Sequence, residues 1–126
     1  MKMKQYRVYR LNSNIKELWQ QYPEIKAKIT KLEPKNSFFD RQMECFFQTN
    51  EGISDYIEDK LKKRSDYSRD KNRHYLHNQL TNENLVCIVD DYYITIKANK
   101  KENIFLEILF NIDNSLEKTY VCEVSN

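Results

Sequence analysis

Few residues in this 126-residue chain are of a type that does chemistry, and their spacing decides what each can do. His74 and His77 lie three apart, so a helix would put both imidazoles on one face, as a zinc site could use. Such a site needs two more ligands, and Cys45, Cys87 and Cys122 are all distant in sequence. The histidines are therefore read as surface residues, and no metal centre is expected. The cysteines are odd in number and each has apolar neighbours, the pattern of buried free thiols in a reducing compartment rather than of a disulfide framework. Asp90 and Asp91, with Asp55, Glu58, Asp59, Asp66 and Asp70 upstream, offer carboxylates for acid–base work. Adjacent aspartates between two apolar runs, however, are what the backbone of a tight turn tolerates. One glycine, Gly52, stands in the whole chain. Phosphate-cradling loops need several, so Walker-type and dinucleotide fingerprints are excluded and most nucleotide-dependent enzymes with them, and Ser and His stand without the glycines of a nucleophile elbow, which makes a hydrolase triad a weak reading. The expectation is a non-enzyme with no catalytic residue and no cofactor.

Two stretches read as binding chemistry instead. Between residues 60 and 77, Lys60, Lys62, Lys63, Arg64, Arg69, Lys71 and Arg73 face only Asp66 and Asp70, with Tyr67 and Tyr75 interleaved. Cations for phosphates and rings for bases are what a nucleic-acid surface combines. A solvated helix end and loop is the favoured reading, because two acids interrupt the run and the formal charge of the chain is only +2. The second stretch is Ile15, Leu18, Trp19 and Tyr22, spaced as one face of a helix. Such a stripe is either core or, where it stays exposed, the aromatic and aliphatic anchor of a protein interface.

The elements that must position these residues follow from periodicity. Lys4 to Leu11 is β-rich with apolar residues on both faces, which predicts a strand paired inside a sheet. Asn12-Ser13-Asn14 supplies N-cap chemistry for the helix carrying Ile15 to Tyr22, and Pro23 kinks or splits that helix before Ile25, Ile29 and Leu32. Phe39, Met43, Phe46 and Phe47 predict another helix, and Ile53, Tyr56, Ile57 and Leu61 one more after a break at Gly52. The pattern is lost from Ser65 to Arg73, and Tyr75, Leu76 and Leu80 resume order as strand or short helix, fitting either period poorly. Leu85 to Val89, the break at Asp90-Asp91 and Tyr92 to Ala98 predict a hairpin. Ile104 to Ile112 predicts a helix, and Leu116 to Val124 a last strand.

Together these give a small α+β protein, one domain over residues 1–126, with a mixed or antiparallel sheet packed on several helices. Apolar residues at 40% and 13% aromatics are enough to fold it. The N-terminus has no apolar stretch behind its basic residues, and no segment approaches the ~18 apolar residues of a membrane span, so a cytoplasmic protein without a membrane partner is expected.

The layout also resembles a known family. Tyr6, Tyr9 and Leu11 feeding a helix with Ile15 and Trp19, the DYIEDKLKKRSDY segment from Asp55 to Tyr67, and the closing hairpin, ENIFLEIL helix and final strand are similar to the sporulation inhibitors of replication, SirA. The chain is shorter in its middle than that family and ends after the last strand without an aromatic tail. The resemblance implies a non-enzymatic inhibitor that binds the N-terminal domain of the replication initiator DnaA and restrains chromosome replication during sporulation. It places the contact on the first helix, at Ile15 and Trp19. The Lys-, Asn- and Ile-heavy composition suits an AT-rich bacterial genome and equally a small phage interaction protein.

Overall fold

A computed structural model describes residues 3–11, 48–78, 80, 83–112 and 119–124. The expected helices between Ile15 and Phe47, with Cys45, lie outside the described residues. The elements are β1 (Lys4–Arg10), α1 (Ile53–Leu61), β2 (Tyr67–Asp70), β3 (Arg73–Asn78), β4 (Glu83–Val89), β5 (Ile94–Ala98), α2 (Ile104–Phe110) and β6 (Thr119–Val124). The six strands form one sheet in the order β2-β3-β4-β5-β1-β6, and every pairing is antiparallel. The architecture is thus α+β, but among the described residues it is mostly sheet with two helices.

The first strand in sequence sits deep in the sheet. β1 pairs with β5 on one side, Tyr6 opposite Ile96 and Val8 opposite Ile94, and with β6 on the other, Val8 opposite Val121. That position pairs its backbone on both edges, and Tyr6, Val8 and Arg10 on one face and Tyr9 on the other are all buried. The β4–β5 hairpin turns at Asp90-Asp91, where the Asp90 N–H donates to the Tyr93 carbonyl at 3.0 Å.

Side chains alternate across each strand, and the registers carry one face through the sheet: Leu76 opposite Leu85, Cys87 opposite Ile96, Val89 opposite Ile94. Ile53, Ile57 and Leu61 of α1 and Phe105, Leu106 and Leu109 of α2 close on this face to form one core. Each of these isoleucines and leucines contributes roughly 1.5–3 kcal/mol by leaving water. Asn103 starts α2 as its N-cap, its side chain accepting from the Leu106 N–H at 3.1 Å. α1 instead starts at Gly52, whose φ of 81° is left-handed and which makes no side-chain cap.

Within the stretch where periodicity gave no answer, residues 67–78 form the β2–β3 hairpin. Its two-residue turn places Lys71 at φ 56° and is tied down by Asn72, whose amide donates to the Val89 carbonyl at 2.9 Å.

Candidate functional site

His74 is the most enclosed polar group of the sheet. It was expected at the surface; the structure buries it completely. The correction has a local cause: β3 turns His74 and Leu76 toward α1, and both ring nitrogens find hydroxyl partners there. Nδ1 lies 2.8 Å from the Tyr67 hydroxyl and Nε2 lies 3.0 Å from Ser54 Oγ on the first turn of α1. The Tyr67 ring stacks beside the imidazole at 6.0 Å between centroids. A neutral imidazole donates at one nitrogen and accepts at the other, so two hydroxyls satisfy it fully. Burial, and then the charge of Arg69, pull its pKa down from 6.5 to about 4. Burial and Glu58 push the Tyr67 hydroxyl up to about 12. A Ser-His-Tyr array is wiring for proton transfer, but with His74 at 0% exposure no substrate reaches it. What it does chemically is bond α1 to β2 and β3. Arg69 adds to that bond across the surface, its Nη1 2.9 Å from Asp55 and 3.3 Å from Glu58, both on α1.

A second polar cluster forms on the other face at the β4–β5 turn. The Tyr93 hydroxyl hydrogen-bonds the Asp90 carboxyl, and Arg7 and Arg73 lie close enough to act on it. Burial outweighs these contacts and raises the Asp90 pKa. The Arg7 guanidinium sits 5.0 Å over the Tyr93 ring, and the Tyr9 ring lies 6.5 Å from it. Asn50 ties this turn to the start of α1: its amide donates to the Asp90 carbonyl at 2.9 Å and its backbone N–H to the Asp91 carbonyl at 2.8 Å. Asp90 and Asp91 are therefore turn residues with one carboxyl drawn into packing.

The stripe of Ile15, Leu18, Trp19 and Tyr22 lies outside the described residues, but the sheet holds both ends of the segment that carries it. The Gln48 N–H donates to the Arg10 carbonyl at 2.7 Å, and the Gln48 amide donates to the Leu11 carbonyl at 2.8 Å. Arg10, itself buried, reaches the Thr49 carbonyl and Gln48 Oε1, each at 3.4 Å. Gln48 and Thr49, where the described chain resumes, are therefore fastened to the end of β1.

The basic run is dispersed. Lys60 lies 5.4 Å over the Tyr56 ring, Lys62 pairs with Asp59 at 3.0 Å, and Arg64 grips Asp66 through two bonds of 2.9 and 2.8 Å. Lys63 is exposed. Tyr67 and Arg69 face α1, Lys71 occupies the turn, and Arg73 and Tyr75 point to the opposite face of the sheet, because neighbours along a strand alternate. No single surface collects all nine residues.

Sequence reading missed the His74 network because a strand whose inward positions are His74 and Leu76, paired with one whose inward positions are Tyr67 and Arg69, shows no apolar alternation. The usable signal was the polar turn of Lys71 and Asn72 between two short runs. Among the described residues, no group of three or more His, Cys, Asp or Glu could hold a metal ion. Cys87 is a buried free thiol, and no described helix is long and apolar enough to cross a membrane. No protein-family model matches the chain, and no curated protein matches its sequence.

Proposed function

We propose that this chain is a non-enzymatic, protein-binding inhibitor whose Ile15, Leu18, Trp19 and Tyr22 face docks on a partner domain. Following the resemblance to SirA, the partner is the N-terminal domain of the initiator DnaA, and the effect is restraint of chromosome replication during sporulation, in the cytoplasm. The observation that supports this reading is the clamp at Arg10, Leu11 and Gln48. A binding segment is most effective when its two ends are fixed, because less ordering entropy is then lost on docking. The alternative, a nucleic-acid surface over residues 60–77, draws less support, since strand alternation divides its aromatic and basic residues between two faces.

Calorimetry of the purified chain against the DnaA N-terminal domain tests the proposal. Truncating an interface anchor typically costs ~2 kcal/mol or more, about 30-fold in affinity. Trp19→Ala and Leu18→Ala should each weaken binding by that order while urea unfolding stays at the wild-type midpoint. A wild-type chain that ignores this domain sinks the partner, and variants that unfold place the stripe in the core. Binding instead to single-stranded oligonucleotides, falling steeply with salt, would favour the nucleic-acid reading.

A further inference from the structure

Beside α2 the surface opens into a cleft of about 500 Å³, within the range of roughly 300–1,000 Å³ typical of ligand sites. Its apolar side is made by Leu85 of β4 with Ile104, Leu106 and Phe110 of α2. Leu85 and Leu106 are buried, whereas Ile104 and Phe110 remain half-exposed. The wall between β5 and α2 is held in shape by Asn103, which caps α2 and also donates its amide to the carbonyls of Lys100 and Lys101 at 3.2 and 2.9 Å. The cleft is therefore built in advance of any occupant.

Its charge is less even than its composition suggests. Arg64 and Lys100 line it together with Glu83, Glu102 and Glu107. The Arg64 guanidinium is already committed, bound on two nitrogens by the Asp66 carboxylate. Among the described residues none of the three glutamates is in an ion pair. Glu83 acts on Arg64, which leaves the carboxylates of Glu102 and Glu107 against the ammonium of Lys100, around an apolar floor.

We infer that this cleft is a docking site for a basic, amphipathic segment of a partner protein, with an apolar side chain seated against Ile104 and Phe110 and flanking lysines or arginines at Glu102 and Glu107. The apolar floor supplies affinity and the carboxylate rim selects the sign of the charge. The chain as a whole is slightly cationic, +2, so a basic ligand has no general attraction to it, and binding must come from a local field. The inference involves none of the residues from Ile15 to Tyr22 and stands apart from the proposed inhibitor function.

The test uses two fluorescein-labelled ten-residue peptides of alternating leucine, one with lysine and one with glutamate at the polar positions, followed by anisotropy at low salt. The lysine peptide should bind and the glutamate peptide should not. The double variant Glu102→Lys/Glu107→Lys should weaken the lysine peptide at least tenfold, and Phe110→Ala should weaken it several-fold. Asp59→Lys, an exposed acid on α1, should leave binding unchanged. The double-variant positions are exposed, and a wild-type urea midpoint checks that each variant is folded. Failure of the lysine peptide to bind, equal binding of both peptides, or binding indifferent to the Glu102 and Glu107 reversals overturns the assignment.

Discussion

Replacing His74 with glutamine should flatten the acid limb of the stability profile. In the folded chain the imidazole takes up a proton only near pH 4, because burial and then Arg69 disfavour the charged form. In the unfolded chain it does so near its ordinary value of about 6.5. Between those two values the unfolded state binds the extra proton. Stability is therefore fully present above pH 6.5 and is lost as the pH falls from 6.5 toward 4, after which both states are protonated and no more is lost. A fall from 6.5 to about 4, at 1.36 kcal/mol per pH unit, makes the whole effect ~3 kcal/mol, of which about 2 kcal/mol accrues between pH 7 and pH 5. Protonation leaves the two hydroxyl contacts possible, since Tyr67 and Ser54 can both accept, so the cost is one of desolvation and not of a broken bond.

Asp59 and Asp66 are held below the usual carboxylate range by Lys62 and Arg64, so the stability they contribute is lost only as the pH falls below that range, under the span in which His74 acts. Asp90 is raised by burial and acts in the opposite sense. His74→Gln keeps all three, and the difference between the two proteins isolates the histidine. Urea unfolding at pH 5, 6 and 7 should show the wild type losing ~2 kcal/mol more than the variant over that span. Equal pH slopes in the two proteins, or an imidazole resonance of His74 that titrates near 6.5, would refute the reasoning.

Two further outcomes follow from single residues. Gly52→Ala should destabilise the chain by ~1–2 kcal/mol in the same urea assay, from left-handed backbone strain alone, since an added Cβ would meet no atom within 4 Å; a gain in stability would mean that the left-handed start of α1 is wrong. The Cys87 thiol is fully buried and burial pushes its pKa up, so a disulfide reagent at pH 8 should modify it only in denaturant, and mass-spectrometric detection of rapid native labelling would contradict its place in the core.

The strands rich in β-branched and apolar residues were legible: β1, β4 and β5 each put apolar residues on the buried face, and Asp90-Asp91 marked the turn between the last two. α1 and α2 were legible for the same reason, with Ile53, Ile57 and Leu61, and then Phe105, Leu106 and Leu109, on one side. The β2–β3 hairpin was hidden because its inward positions are Tyr67, Arg69, His74 and Leu76, three of them polar, and of these His74 and Arg69 complete their bonding only once Ser54, Asp55 and Glu58 arrive from α1. That is a tertiary fact, absent from any local window. The basic run, read chiefly as a solvated helix end and loop, shows the same limit of local windows. Adjacent in sequence, its members are separated by the period of two along a strand and by local ion pairs, so charge density along the chain did not become charge density on the surface.

The sheet order also constrains how residues 12–47 can act. β1 is the first strand made, yet it lies between β5 and β6, the last two. The sheet therefore closes only when both ends of the described chain are present, and the clamp from Gln48 to Arg10 and Leu11 is made on the strand that closure fixes. Contacts so distant in sequence form late, since their loop-closure cost must be met before they stabilise anything. Once formed, they hold the two ends of the segment together at a buried arginine. On the proposed reading, loss of the core would release both fixed ends, at Leu11 and Gln48, and should weaken partner binding even where every residue from Ile15 to Tyr22 is intact.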